Sequence, residues 1–125
     1  MIIASYHAVQ APITRAEIRQ IFLDCFHNNR VDVVKVVIKA FERSIAYGIH
    51  EIAADMKLPL PVIALCTTEQ GKLSRVLNKV LTPVTHPALP AAAAPGQLSV
   101  DEVLQLRKSL GLWKCTRDDH NPSDN

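Results

Sequence analysis

VDVVKVVIKAFERSIAY, residues 31–47, is the stretch on which the fold turns. Its β-branched start would suit a strand. Against that, seventeen residues pass without Gly or Pro, whereas an ordinary strand has about five or six. Val34, Val37, Ile38, Phe41 and Ile45 also recur at helical spacing, so the length decides for a helix. Val33 and Val36 broaden its apolar surface beyond one stripe, which implies burial on two sides. With so small a core, Val34, Val37, Ile38, Phe41 and Ile45 are expected to form a dimer or partner interface.

Downstream, Gly48 suits the left-handed residue that ends a helix, with Ile49 packing back. His50 to Met56 follows as a short helix that Pro59 stops. Pro61 then sits in the first turn of an apolar helix, Leu60 and Val62-Ile63-Ala64-Leu65-Cys66. The next helix, EQGKLSRVLNKVL, buries Leu73, Val76, Leu77 and Val80. Lys72, Arg75 and Lys79 lie within roughly sixty degrees on another face, a basic stripe fit to contact DNA phosphates. Upstream, Thr14 and Glu17 form a capping box ahead of Ile18, Ile21, Phe22, Cys25 and Phe26 on one helix face.

These segments predict an all-α protein, a small dimeric domain of about four to five helices over residues 14–81. Residues 1–13 are an N-terminal arm. Residues 82–98, rich in Pro and Ala, read as a stiffened linker. Ser99 and Glu102 repeat the capping box and open a last helix, 99–113, that Gly111 is placed to end. Its Val103, Leu106, Leu110 and Trp113 share a side that could dock into a partner groove. The polar residues 114–125 are expected to be a disordered tail.

A chain of 125 residues with 48% hydrophobic but only 5% aromatic residues is one domain with an aliphatic core. The net charge of +2 is unevenly spread: up to Leu81 ten basic residues face seven acidic ones. Any field attracting phosphate lies there. Three widely spaced cysteines without a CxxC point to a reducing, cytoplasmic setting. No segment approaches a membrane span or a signal peptide. No Cys/His pair has a second pair at zinc spacing, so no metal is expected. No glycine-rich phosphate loop or nucleophile–base pair stands out, so no cofactor, no catalytic residue and no enzyme are expected.

Residues 49–70 have the outline of a DNA-binding helix-turn-helix. The second helix, however, opens Leu60-Pro61-Val62-Ile63, side chains that cannot read base edges. An autonomous DNA-binding regulator is therefore an alternative, as is a non-DNA adaptor docking through the last helix.

Gly48, Ile49, Glu51 and Ala54 form Gly-Ile-x-Glu-x-x-Ala, and Leu58, Leu60 and Pro61 form Leu-x-Leu-Pro, with Ile63 following. In these motifs the chain resembles the FlhD-like family of transcriptional activator subunits, with about two residues fewer between them. The resemblance covers some thirty residues. It implies a homodimer that assembles with a zinc-containing FlhC-like partner, binds promoter DNA as that complex and reaches RNA polymerase indirectly. The family's intersubunit cysteine aligns near Ser74, so no disulfide is implied. The linker and the Trp113 helix have no counterpart in the family.

Overall fold

Residues 31–47 hold a strand and the start of a helix, not one helix. In the computed structural model, which describes residues 1–8, 10–27 and 30–112, β1 (Ile3–Ala8) is followed by α1 (Arg15–His27), β2 (Val33–Lys39), α2 (Arg43–Met56) and β3 (Val62–Thr67). A 3-10 turn (Glu69–Gly71), α3 (Lys72–Leu77) and α4 (Val100–Leu110) complete the order. The three strands form one parallel sheet, β1-β2-β3. The architecture is α/β, and the all-α expectation is overturned.

The physical reason lies in two-sided burial. A parallel strand covered on both faces reads as a nearly continuous β-branched run rather than an alternation. Val34, Val36 and Ile38 join α1 and α2 in the main core with Phe22, Ile18 and Ile49. Val33 and Val37 pack on the other face with Ile63 and Leu65. The length criterion failed because only Ala40-Phe41-Glu42, with neither Gly nor Pro, separates strand from helix. The same two-sided burial hid β3, where the run taken for an apolar helix sends Ala64 and Cys66 to one core and Ile63 and Leu65 to the other.

Gly48 does not end a helix but lies buried inside α2. That helix ends instead at Lys57, which adopts the left-handed conformation (φ 49°, ψ 47°). Local end signals fared better. Thr14 Oγ1 accepts from the Glu17 amide at 3.1 Å. At α4, Ser99 and Glu102 cap each other's backbone and Gly111 takes the left-handed position.

Val34 and Ile38 are consumed in the chain's own core and Val37 in the second cluster; Ile45 packs on the main core, and Phe41 is 47% exposed with Lys39 Nζ 5.1 Å from its ring centre. The residues expected to face another subunit thus sit largely inside the fold.

The segment expected to be an arm contains β1, paired along β2. Residues 82–98 are tied to the body: Thr85 bridges to Ser99, Leu98 is buried, and the Thr68 amide donates to the Pro95 carbonyl at 3.0 Å. α4 docks through Val103 on Val76 and Leu98, with Arg107 donating to the Val76 and Asn78 carbonyls at 3.0 and 2.6 Å. Among the described residues no helix is long and apolar enough to cross a membrane.

Candidate active site

The sheet has one face closed by α1 and α2 and one that opens on a cleft of about 600 Å³. Strand alternation assigns the residues. From β2, Lys35, Val37 and Lys39 line the cleft; from β3, Leu65 and Thr67; from β1, His7. His7 pairs in register with Val37, and Lys35 with Ser5. His7 therefore stands one strand over and two residues along from Lys35, a Cα separation of roughly 8 Å from strand spacing and rise.

Lys35 is half-buried and makes no hydrogen bond or ion pair among the described residues. Its neighbours on this face of β2, Val33 and Val37, are apolar. A lysine with no acidic partner in an apolar strand is a poor structural choice and a serviceable nucleophile.

Arg75, on α3, forms another wall of the cleft and is only 2% exposed. Its Nε has no partner among the described residues. Burial pulls the guanidinium below its ordinary value. A buried cation left short of acceptors is costly unless an anion completes it.

The rim is a strap, residues 93–97, crossing the end of β3. Thr68 holds it from below with a backbone (φ 73°, ψ 169°) that residues other than glycine rarely adopt. Its amide bonds to Pro95, and its Oγ1 donates to the Ala40 carbonyl at 2.8 Å. Gly96 (φ 85°) passes so close that a Cβ there would collide with the Thr68 carbonyl. The strap brings Gln97 to the cleft, where Gln97 Oε1 accepts from the Ala93 amide at 3.0 Å.

The expected basic stripe is dispersed. Lys72 pairs with Glu69 at 2.8 Å, Arg75 turns inward and Lys79 lies exposed on the outer side. Of the expected docking side on the last helix, Val103 is buried, Leu106 and Leu110 are exposed, and Trp113 lies outside the described residues, as does the tail 114–125. The sequence reading did not single out His7, Lys35 or Gln97, which the fold brings to the cleft. Lys35 and Lys39 interrupt the β-branched run four residues apart, a spacing that a strand and a helix both place on one face, so it gave no warning of the strand. Among the described residues no group of three or more His, Cys, Asp or Glu side chains is placed to hold a metal ion.

Comparison with known proteins fits this geometry. The family model for type I 3-dehydroquinase matches residues 1–113. The pentafunctional AROM polypeptides of Yarrowia lipolytica and Kluyveromyces lactis are 46% and 48% identical over 83 residues, which is 66% and 65% of this chain and 5% of each polypeptide. The dehydroquinate dehydratase and shikimate dehydrogenase structure from S. pombe AroM superposes with a TM-score of 0.77 at 30% identity, over 90% of this chain and 22% of that one. The 3-dehydroquinate dehydratase of Geobacillus kaustophilus gives 0.69 at 17% identity, over 90% of this chain and 45% of the enzyme.

The FlhD-like resemblance is overturned by these matches. Gly48, Ile49, Glu51 and Ala54 belong to the middle of α2, and Leu58, Leu60 and Pro61 lead into a strand rather than a helix. With it fall the non-enzymatic reading, the transcriptional activator and its two alternatives, and the FlhC-like, promoter DNA and RNA polymerase partners. The chain, spanning a small fraction of the AROM polypeptides and under half of the Geobacillus enzyme, belongs to the type I 3-dehydroquinase family.

Proposed function

We propose that this cleft contributes the dehydration chemistry of a 3-dehydroquinate dehydratase, through an imine formed on Lys35. The observation that carries the proposal is the convergence of an unpartnered Lys35, His7 and the buried Arg75 on one cleft. 3-Dehydroquinate is a cyclic ketone with a hydroxyl β to the carbonyl and a carboxylate. Arg75 suits the carboxylate, a planar anion that a guanidinium holds through two hydrogen bonds.

The amine of Lys35 adds to the ketone carbon, and loss of one water leaves an iminium. That cation acidifies the adjacent C–H, and the His7 imidazole takes its proton while the electron pair forms an enamine. The enamine expels the β-hydroxyl, which leaves as water with the proton returned by His7. Addition of water to the conjugated iminium then releases the enone and regenerates Lys35. The net change is the loss of one water. The type I enzyme of Clostridium difficile, 20% identical, was solved with covalently modified comenic acid, which fits a site that bonds to what it holds.

Two buried free thiols, Cys25 and Cys66, suit a cytoplasmic location. In Cys66, burial pushes the thiol up to about 11, so it stays protonated and unreactive.

The chain covers under half of the solved enzyme from G. kaustophilus. Activity is therefore best assayed with this chain substituted for the segment it matches in the S. pombe dehydratase domain. Borohydride added during turnover should attach reduced substrate to Lys35, read by peptide mass spectrometry. Lys35→Met should abolish both adduct and turnover, and His7→Ala should slow turnover by about 10²–10⁴-fold while keeping the adduct. An adduct on Lys39, or full turnover without Lys35, would refute the assignment.

A further inference from the structure

We propose that Lys39 and Thr67 form an oxyanion subsite at the mouth of the cleft, for a carboxylate or phosphate group other than the one held by Arg75. The subsite shares the cleft with the proposed dehydration but needs no chemistry at Lys35.

Lys39 is the last residue of β2 and Thr67 the last of β3, and the two are partners in the parallel register. Neighbouring strands set such partners about 5 Å apart at Cα. Both side chains line the cleft. In α/β sheets ligands gather outside the carboxyl ends of the strands, which is where this pair stands. Lys35 lies two side-chain steps back along β2, roughly 13 Å away at Cα. The pair therefore marks the mouth, and Lys35 the interior.

Neither side chain has a hydrogen-bond partner among the described residues. Lys39 is half-buried and makes no ion pair there; its Nζ rests 5.1 Å from the centre of the Phe41 ring. That ring is 47% exposed, and over an exposed ring an ammonium is held only weakly. Thr67 is 8% exposed, and its hydroxyl is open to the cleft. An ammonium with three N–H donors beside a hydroxyl with one O–H can converge on a single oxyanion. Charge balance points the same way. Among the described residues that line the cleft, Lys35, Lys39 and Arg75 are cations and none is a carboxylate. One substrate carboxylate answers Arg75, and an iminium on Lys35 keeps its positive charge. Lys39 still lacks a counter-charge.

The test titrates inorganic phosphate into the full chain, natural and with Arg75→Met to remove the deeper anion place, and follows lysine methylene and threonine methyl signals by NMR. Dispersed amide signals establish that each variant is folded. Saturable shifts are expected at Lys39 and Thr67 in both chains, and none at Lys79, which lies exposed on the outer side. Lys39→Met should weaken phosphate binding by about tenfold or more and Thr67→Val by about threefold, while Lys39→Arg should retain it. Two acids then separate the sources of the anion. If the natural chain binds benzene-1,3-dicarboxylate about tenfold tighter than benzoate, and Lys39→Met loses that advantage, the anion is a second group on one ligand. Equal binding of the two acids, with phosphate still held, makes it a separate small ion. Phosphate that shifts neither residue in a folded chain, or that binds Lys39→Met as tightly, overturns the subsite. Dehydration by the S. pombe chimera without those shifts sinks the subsite alone, and the shifts without dehydration sink only the dehydratase proposal.

Discussion

Val36 and Val37 are the same residue one position apart, and they serve different parts of the molecule. Val36 is fully buried beneath α1 and α2. Val37 is 7% exposed on the cleft face beside Lys35 and Lys39. One face of β2 packs against helices and the other carries Lys35 and Lys39 along an apolar floor, an arrangement that a strand permits because successive side chains point to opposite sides. Truncation tests the asymmetry directly. Val36→Ala should cost about 2–3 kcal/mol, the loss of two methyl groups plus the cavity left between sheet and helices. Val37→Ala removes the same atoms beside an open cleft, where no closed cavity results, and should cost at most about 1.5 kcal/mol. Equal losses in urea denaturation would mean that the two faces are equally closed.

The cleft face also contains a group that opposes stability. Arg75 is buried with its Nε unpartnered. An unsatisfied buried donor costs about 1–3 kcal/mol, more when it is charged. Arg75→Met keeps most of the apolar stem and discards the charge, so it should raise the stability of the free chain by about 1 kcal/mol or more. With this chain substituted into the S. pombe dehydratase domain, it should lower kcat/KM for an anionic substrate. A destabilised Arg75→Met chain would show that the guanidinium finds its acceptors without a ligand.

The same contrast explains what the sequence disclosed. Helix ends are announced by residues three apart, and the boxes Thr14–Glu17 and Ser99–Glu102 are formed as read. The apolar stripe of α1 was legible too, with Ile18, Phe22 and Cys25 buried. Strands buried on both faces give no such period, so β2 and β3 passed for helices. The site was less legible still, because His7, Lys35 and Arg75 are up to 68 positions apart and meet only through the parallel register. Arg75 was singled out, but as a phosphate contact on an exposed stripe. Its burial depends on the α3 packing that no local pattern encodes.

A subtler trace of the cleft face is Thr68. Outside such positions alanine is preferred to glycine by about 0.5–1 kcal/mol, since glycine loses more freedom on folding. At φ 73° and ψ 169° a side chain costs about 1–3 kcal/mol, so the preference should invert. Thr68→Ala and Thr68→Gly both lose the Oγ1 bond to Ala40, and Gly should be the more stable of the two by about 1 kcal/mol. If Ala proves the more stable, Thr68 is not strained, and the strap at 93–97 is held by its hydrogen bond to Pro95 alone.

The helix-covered side has its own sensitive group, with a smaller effect. His50, half-buried on α2, lies 2.8 Å from the Ser74 carbonyl through Nε2, which identifies that nitrogen as the one bearing hydrogen. Burial holds its pKa below the ordinary 6.5, opposed by its backbone hydrogen bonds and aided by the charge of Lys79. The unfolded chain therefore binds a proton at a pH where the folded chain does not. Stability from this group is complete above 6.5 and declines as pH falls below it toward the folded value. Glu102, held below 4.5 by its bonds to Ser99, titrates beneath that window. Urea midpoints between about pH 7.5 and pH 5 should fall for the natural chain, and fall less for His50→Gln. Because Gln can still donate to Ser74, any difference in slope reports the imidazole proton rather than the lost hydrogen bond. A natural chain that gains stability on acidification would place a compensating anion beside His50, where the structure has Lys79.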